Sequence, residues 1–191
     1  MNWLALGLLG GVVGLDATSF PQVMLSRPIV AATLTGLLFG DPAAGLLLGA
    51  LLEAFALLIL PFGATRYPES GTAAAAATSA YAAATDLANN HQVLLLAVAF
   101  ALIWEQVAGA SVIFARRINE RLVRAREGSP PLGAEQVQSR HLLAIGIDFV
   151  RGAWAVLIGA MLGRMLLRVM EPLFALSDET SARLLLSLIH I

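Results

Sequence analysis

The chain has no cysteine and no lysine, only 3 histidines, and charged side chains at just 13% of its 191 positions. Without cysteine there is no disulfide framework and no thiol chemistry, and redox usage says nothing about compartment. With 12 basic and 13 acidic residues the net charge is -1, which excludes the basic balance of a nucleic-acid-binding domain. Every basic residue is arginine, which reads as coding bias rather than mechanism. No metal-ligand spacing, phosphate-cradling glycine loop or nucleophile–base set occurs in the sequence, so it carries no enzyme signature and no cofactor is expected.

What is present instead is apolar surface: 58% of residues are hydrophobic and the mean hydropathy is +0.79. A soluble core cannot absorb so much, and the composition is that of a polytopic membrane protein. The length leaves room for about four or five spans with short loops. The expected fold is all-α, a polytopic membrane helical bundle with re-entrant or broken helices, in a single membrane domain over residues 1–185. Residues 186–191, LSLIHI, look like translated adapter read-through and are expected to be a non-native tail on a domain incomplete at its C-terminal side. The glycine-rich apolar start lacks a basic n-region and a clean cleavage site, so it is read as mature structure.

The chain is organised around residues 26–71, and within them 43–62 is a run of 20 residues, apolar but for Glu53 at its midpoint. Such a run matches the roughly 30 Å hydrocarbon thickness at about 1.5 Å per residue. A carboxylate there costs about 2.5–3.5 kcal/mol, so it is expected to face a cavity or a partner. Gly45, Gly49 and Glu53 recur at every fourth residue and share one face, where two glycines admit a neighbouring backbone. Glu53 is therefore a site candidate, or else a structural group bonding a neighbouring helix or broken backbone.

Residues 16–28 interrupt the apolar pattern with Asp16, Thr18, Ser19, Gln22, Ser26 and Arg27, and Pro21 and Pro28 forbid a continuous helix. The apolar pieces on either side, 2–15 and 29–40, are each too short to cross alone, and pairing them as a helical hairpin would make them reasonable. The break between them is expected to be re-entrant or unwound and to approach Glu53, because such backbone survives at membrane depth only inside protein or beside water. Arg27 has two readings: neutralising Glu53 or Asp16, or snorkelling to an interface. Asp41, before Pro42, reads as a helix cap.

Beyond the central run, residues 61–71 form a glycine- and proline-marked turn in which Glu69 could accept sugar hydroxyls and Tyr67 could stack on a pyranose, or the loop is simply interfacial. Residues 72–85 have almost no bulk and predict a helix packed closely on others. Residues 92–115 form a full span whose Glu105 and Gln106 suggest a helix-to-helix hydrogen bond. Arg116, Arg117, Arg121, Arg124 and Arg126 follow at once, and by the positive-inside rule 116–140 is cytoplasmic, a topology determinant or a docking surface. Residues 141–167 are the last clear span, with Asp148 and Arg151 spaced to pair within it and His141 at its interfacial start.

Arg27-Pro28, Gly36, Gly40-Asp41, Gly45, Gly49, Glu53, Gly63 and Pro68-Glu69 fall in an order and spacing that resembles the mannose/sorbose-type IIC permease subunit of the bacterial phosphoenolpyruvate-dependent sugar phosphotransferase system. His141 and Arg151, ten apart, resemble a pair at the start of a late helix in such proteins. The resemblance implies a membrane complex with a IID subunit of homologous fold, served by soluble IIA and IIB phosphocarriers that phosphorylate a hexose as it enters across the cell (inner) membrane. It implies a transport subunit rather than an enzyme, in an oligomeric assembly. Substrate contact is expected at Glu53, Glu69, Arg27, Gln22 and Asp16, with Gly45, Gly49, Gly63 and Pro28 as packing residues. The chain departs from the pattern at Pro61, where the family commonly has Asn or Asp, and at Glu69, where Asp is more usual. Two other functions remain open: a degenerate or regulatory scaffold of the same fold, and an unrelated transporter with Glu53 as its proton site.

Overall fold

A computed structural model describes residues 2–58, 68–84, 90–123, 133–174 and 178–189. These residues form seven helices and no strand: α1 (Trp3–Thr18), α2 (Pro28–Phe39), α3 (Pro42–Leu57), α4 (Ser70–Ala82), α5 (Asn90–Val123), α6 (Ala134–Phe174) and α7 (Asp178–Ile189). The fold is thus all-α. Pro61, Gly63, Arg66, Tyr67 and Arg124, Arg126 lie outside the described residues.

Local chemistry sets the helix ends. Asn2 caps α1 by accepting from the Ala5 N–H at 3.1 Å. Pro28 opens α2 at the first helical position, where its missing N–H costs nothing, and Gly40 closes it with φ 81 in the left-handed region. The Asp41 N–H reaches back to the Gly36 carbonyl at 2.9 Å. Asp41 then caps α3 by accepting from the Ala44 N–H at 2.9 Å, with Pro42 next. Gly40, Asp41 and Pro42 thus stop one helix and start another, folding α2 and α3 into a hairpin. Its seam is backbone on backbone: a Cβ added to Gly45 would stand 2.5 Å from the Ala32 carbonyl oxygen, and one on Gly49 2.8 Å from the Ile29 Cα. The Gly45/Gly49 face therefore packs as expected for small residues in a membrane interior.

The hairpin expected between the first two apolar pieces does not form. α1 lies along α6, and α2 packs on α3 and α4. The reason is in the glycines: a Cβ on Gly14 would meet the Gly152 Cα at 2.6 Å, and one on Gly10 the Val156 Cβ at 2.7 Å. The complementary face for α1 is thus supplied some 140 residues later in the chain, not by its sequence neighbour.

α4 is the axis of the bundle and touches α1, α2, α3, α5 and α6. Every residue from Gly71 to Ala80 is buried. Its Ala76 and Ala80 receive the Gly159 and Gly163 faces of α6. Side chains of one carbon or fewer beyond Cβ let five helices converge on one.

α5 and α6 extend beyond the spans expected at 92–115 and 141–167. At about 1.5 Å per residue, the 41 residues of α6 reach roughly twice the hydrocarbon thickness. The extensions carry Glu, Gln and Arg, which favour helix outside the bilayer. Arg140 Nη1 donates to the Leu122 carbonyl at 2.7 Å and ties the two ends together. α7 lies on α5 with Leu185 buried. Toward the outside α6 presents Trp154, Ile158, Met161 and Met165, an apolar belt suited to hydrocarbon rather than water.

Gly14→Leu should separate α1 from α6 and destabilise the protein by about 1–3 kcal/mol or more, because backbone stands where its side chain would go. Gly146→Ala, whose Cβ meets nothing within 4 Å, should not. Thermal melting of the two variants in detergent checks the contrast.

Candidate functional site

The site grows from the break between α1 and α2. Helix α1 ends at Thr18, and the chain then runs unwound to Arg27 before α2 begins. Gln22 at φ 57 and Met24 at φ 69 occupy the left-handed region, which costs side-chain-bearing residues on the order of 1–3 kcal/mol each. Asp16 compensates: one carboxylate oxygen accepts from the Val23 N–H at 2.6 Å and the other from the Ser26 N–H at 2.8 Å. Its side chain is buried and shapes the break from inside. Gly71 holds the break from α4, for a Cβ there would collide with the Ser26 carbonyl.

At the far end of the break, Arg27 Nε stands 3.1 Å from Glu53 Oε1. Of the two readings of Arg27, the pairing with Glu53 holds, and Asp16 is engaged elsewhere. Glu53 Oε2 also accepts from the Ile29 N–H at 3.3 Å, placing the carboxylate at the positive end of α2. Glu53 is 15% exposed and Arg27 46%. This pair therefore has one side in protein and one side open. Gln22 is exposed on the same break.

A second ion pair is almost wholly buried. Arg151, from α6, binds Glu69 with both arms of its fork, Nη1 to Oε2 at 2.6 Å and Nη2 to Oε1 at 2.9 Å. Nη1 also donates to Ser111 Oγ of α5 at 3.2 Å, and Nη2 to the Gly14 carbonyl of α1 at 3.4 Å. Nε lies 3.6 Å from Asp148 Oδ1, which realises the i, i+3 pairing expected within α6. The side chains of Arg151 and Glu69 are only 8% and 3% exposed. One guanidinium so joins α1, α5, α6 and the start of α4.

The same cluster grips the near end of the break, where Ser19 Oγ donates to Asp148 Oδ2 at 2.5 Å. Glu69, expected to reach a sugar from a surface turn, instead sits buried at the N-cap position of α4 with its carboxylate engaged by Arg151 rather than by the helix N–H groups. Its N–H donates to the Glu105 carbonyl at 3.1 Å, so the bond joining these segments at Glu105 runs through backbone. Among the described residues the Glu105 carboxylate accepts from its neighbour Gln106 at 3.4 Å rather than from another helix, and Gln106 is exposed. His141 is exposed near the start of α6, apart from this network.

Ser19, Ser111 and the reach of Arg151 to Glu69 are what a reading of spacing misses. Only charge balance within the late span signals them: an intramembrane arginine beside one acid still has donors to satisfy. Among the described residues no group of three His, Asp or Glu side chains is placed to hold a metal ion.

A family model described as the phosphotransferase-system (PTS) sorbose-specific IIC component matches residues 1–175. The sorbose-specific EIIC component of Klebsiella pneumoniae is 28% identical over 160 residues, covering 81% of this chain and 56% of that protein. The Lacticaseibacillus casei protein of the same name is 36% identical over 67 residues, 35% of this chain and 24% of that one. The chain thus spans little more than half the length of the first of these relatives. A solved structure described as that of a membrane protein superposes with a TM-score of 0.69 at 19% identity, covering 97% of this chain and 72% of the other. That likeness concerns the fold alone.

Removing one partner of the buried pair should cost about 3–5 kcal/mol, since it strands a charge in the interior. Arg151→Met should be worse than Glu69→Gln, because it leaves Glu69 and Asp148 both uncompensated. Detergent-extracted yield and thermal midpoint of the two variants rank them.

Proposed function

The chain belongs to the sorbose-specific IIC family of phosphotransferase-system components, an integral membrane family, and from that membership we propose that it binds a hexose-type sugar and carries it across the membrane. The observation that carries this reading is the half-open Arg27–Glu53 pair at the end of an unwound segment. A sugar offers hydroxyls that both donate and accept, and a carboxylate beside a guanidinium answers both with charge-assisted bonds. Broken helices supply such groups at membrane depth in other transporters.

In this proposal Glu53, Arg27 and Gln22 touch the sugar. Asp16 and Glu69 contribute from behind, the first by bonding the break and the second by locking Arg151, and neither needs to reach the substrate. Gly45, Gly49 and Pro28 set the α2–α3 approach that brings Arg27 to Glu53. The phosphoryl chemistry resides on partners: a IID membrane subunit completes the passage, and soluble IIA and IIB subunits deliver the phosphoryl group that traps the sugar by adding charge. The chain is then a transport subunit of the cell (inner) membrane, within an oligomeric complex. The arginine-rich joined ends of α5 and α6 face the cytoplasm, as their charge favours.

Glu53→Gln and Arg27→Gln should each weaken hexose binding by the complete complex roughly tenfold or more, the loss of one charged hydrogen bond of about 1.5–3 kcal/mol. Insertion and melting should change little, because the pair is partly exposed. Calorimetry or radiolabelled-sugar binding on purified complex measures this, and affinities equal to the unsubstituted protein's would reject the site.

A further inference from the structure

A cavity of about 550 Å³ opens between α5 and α6, away from the break and its ion pair. Its walls are Phe114, Ala115 and Ile118 from α5 and Leu143, Gly146 and Val150 from α6. Phe114, Leu143 and Val150 are exposed, so the cavity is a groove open on the apolar outside of the bundle. At its floor lie Ser111 and Arg151, already bonded to each other and, through Arg151, to Glu69. What remains for an occupant is nearly all carbon. A Cβ on Gly146 meets nothing within 4 Å, so a slot runs past that residue.

The mouth is different in kind. Arg121 stands three residues beyond Ile118, and Arg140 three residues before Leu143. At helical spacing both fall one turn past the groove on its own side. Arg121 is exposed, and Arg140 uses one donor of its five-donor fork on the Leu122 carbonyl. Arg116 and Arg117 add exposed positive charge on the same turns of α5.

An apolar slot ending in guanidinium groups fits a ligand with a hydrocarbon tail and an anionic head. A second helix fits less well: at about 10 Å diameter and 5.4 Å pitch, little more than one turn would fill the cavity. Guanidinium forks match phosphate oxygens in bidentate geometry, and basic sites between transmembrane helices are where anionic head groups settle. We propose that this groove holds one acyl chain of an anionic diacyl phospholipid, with the phosphate on Arg121 and Arg140. The lipid then fills the α5 side of α6, independently of any sugar.

Native mass spectrometry of the full chain, purified with phosphatidylglycerol or with phosphatidylcholine, tests this. Phosphatidylglycerol should be retained in preference. Arg121→Gln should lower its retention about fivefold, the worth of one arginine at a lipid surface, without the effect on helix joining that Arg140 would bring. Gly146→Leu, which fills the slot, should lower it roughly tenfold or more, since two or more buried methylenes are displaced. Leu143→Trp narrows the same wall and gives the same reading if the glycine variant folds poorly. Equal retention of the two lipids would overturn the proposal. So would a phosphatidylglycerol preference that survives both groove variants, which would leave surface arginines alone as the cause. A photo-cross-linker at Leu143 that captures protein instead of phosphatidylglycerol would also overturn it.

Discussion

Arg151 reaches Glu69 through the middle of the bundle, and the surrounding architecture is what permits that reach. A charged pair with side chains 8% and 3% exposed is tolerable only when polar partners surround it. Both arms of the guanidinium must therefore meet Glu69, and the remaining contacts must come from α1, α5 and α6 at once. Those contacts require α1 and α6 to touch at Gly14 and Gly152, backbone to backbone. They also require the first turn of α4 to sit inside the bundle, which its alanines and glycine allow. Small residues here are the condition for satisfying a buried charge.

From that cluster the constraint passes to the break. Asp148 beside Arg151 accepts from Ser19, Asp16 accepts from Val23 and Ser26, and Glu53 receives Arg27. The unwound segment is thus held at both ends and in the middle by three acids from three helices. Such bonding is what unwound backbone demands wherever water cannot reach it. The two ion pairs then divide the work by exposure. The closed pair holds the scaffold, and the half-open pair has capacity left for a ligand, which is the basis of the proposed sugar site.

Much of this was legible in the sequence because it is local. The Gly45/Gly49/Glu53 face, the break at Pro21 and Pro28, the bulk-free α4 and the Asp41 cap each follow from spacing within a few turns. The pairing of Arg27 with Glu53 was one of two readings, and proximity along the α2–α3 hairpin favours it. What was not legible is long-range. Nothing in 2–15 announces that its glycines meet Gly152 rather than α2, because close packing depends on a complementary surface elsewhere in the chain. Glu69 looked like a loop acid, since proline and glycine flank it, and only its partner 82 positions away makes it interior. The helix extents beyond 115 and before 141 were missed because hydropathy marks the bilayer, whereas hydrogen bonding continues past it.

The central claim is that the break beside Glu53 is the wall of a sugar path. Because the chain has no cysteine, Gln22→Cys gives a single thiol on that wall, and its reaction rate with a membrane-impermeant maleimide can be followed in the complete complex. A companion Gly133→Cys reports which side the α5–α6 end faces. The account predicts that saturating hexose slows labelling at position 22 severalfold, and that Glu53→Gln abolishes the protection while leaving the sugar-free rate unchanged. A labelling rate indifferent to hexose, with sugar demonstrably bound, would contradict it.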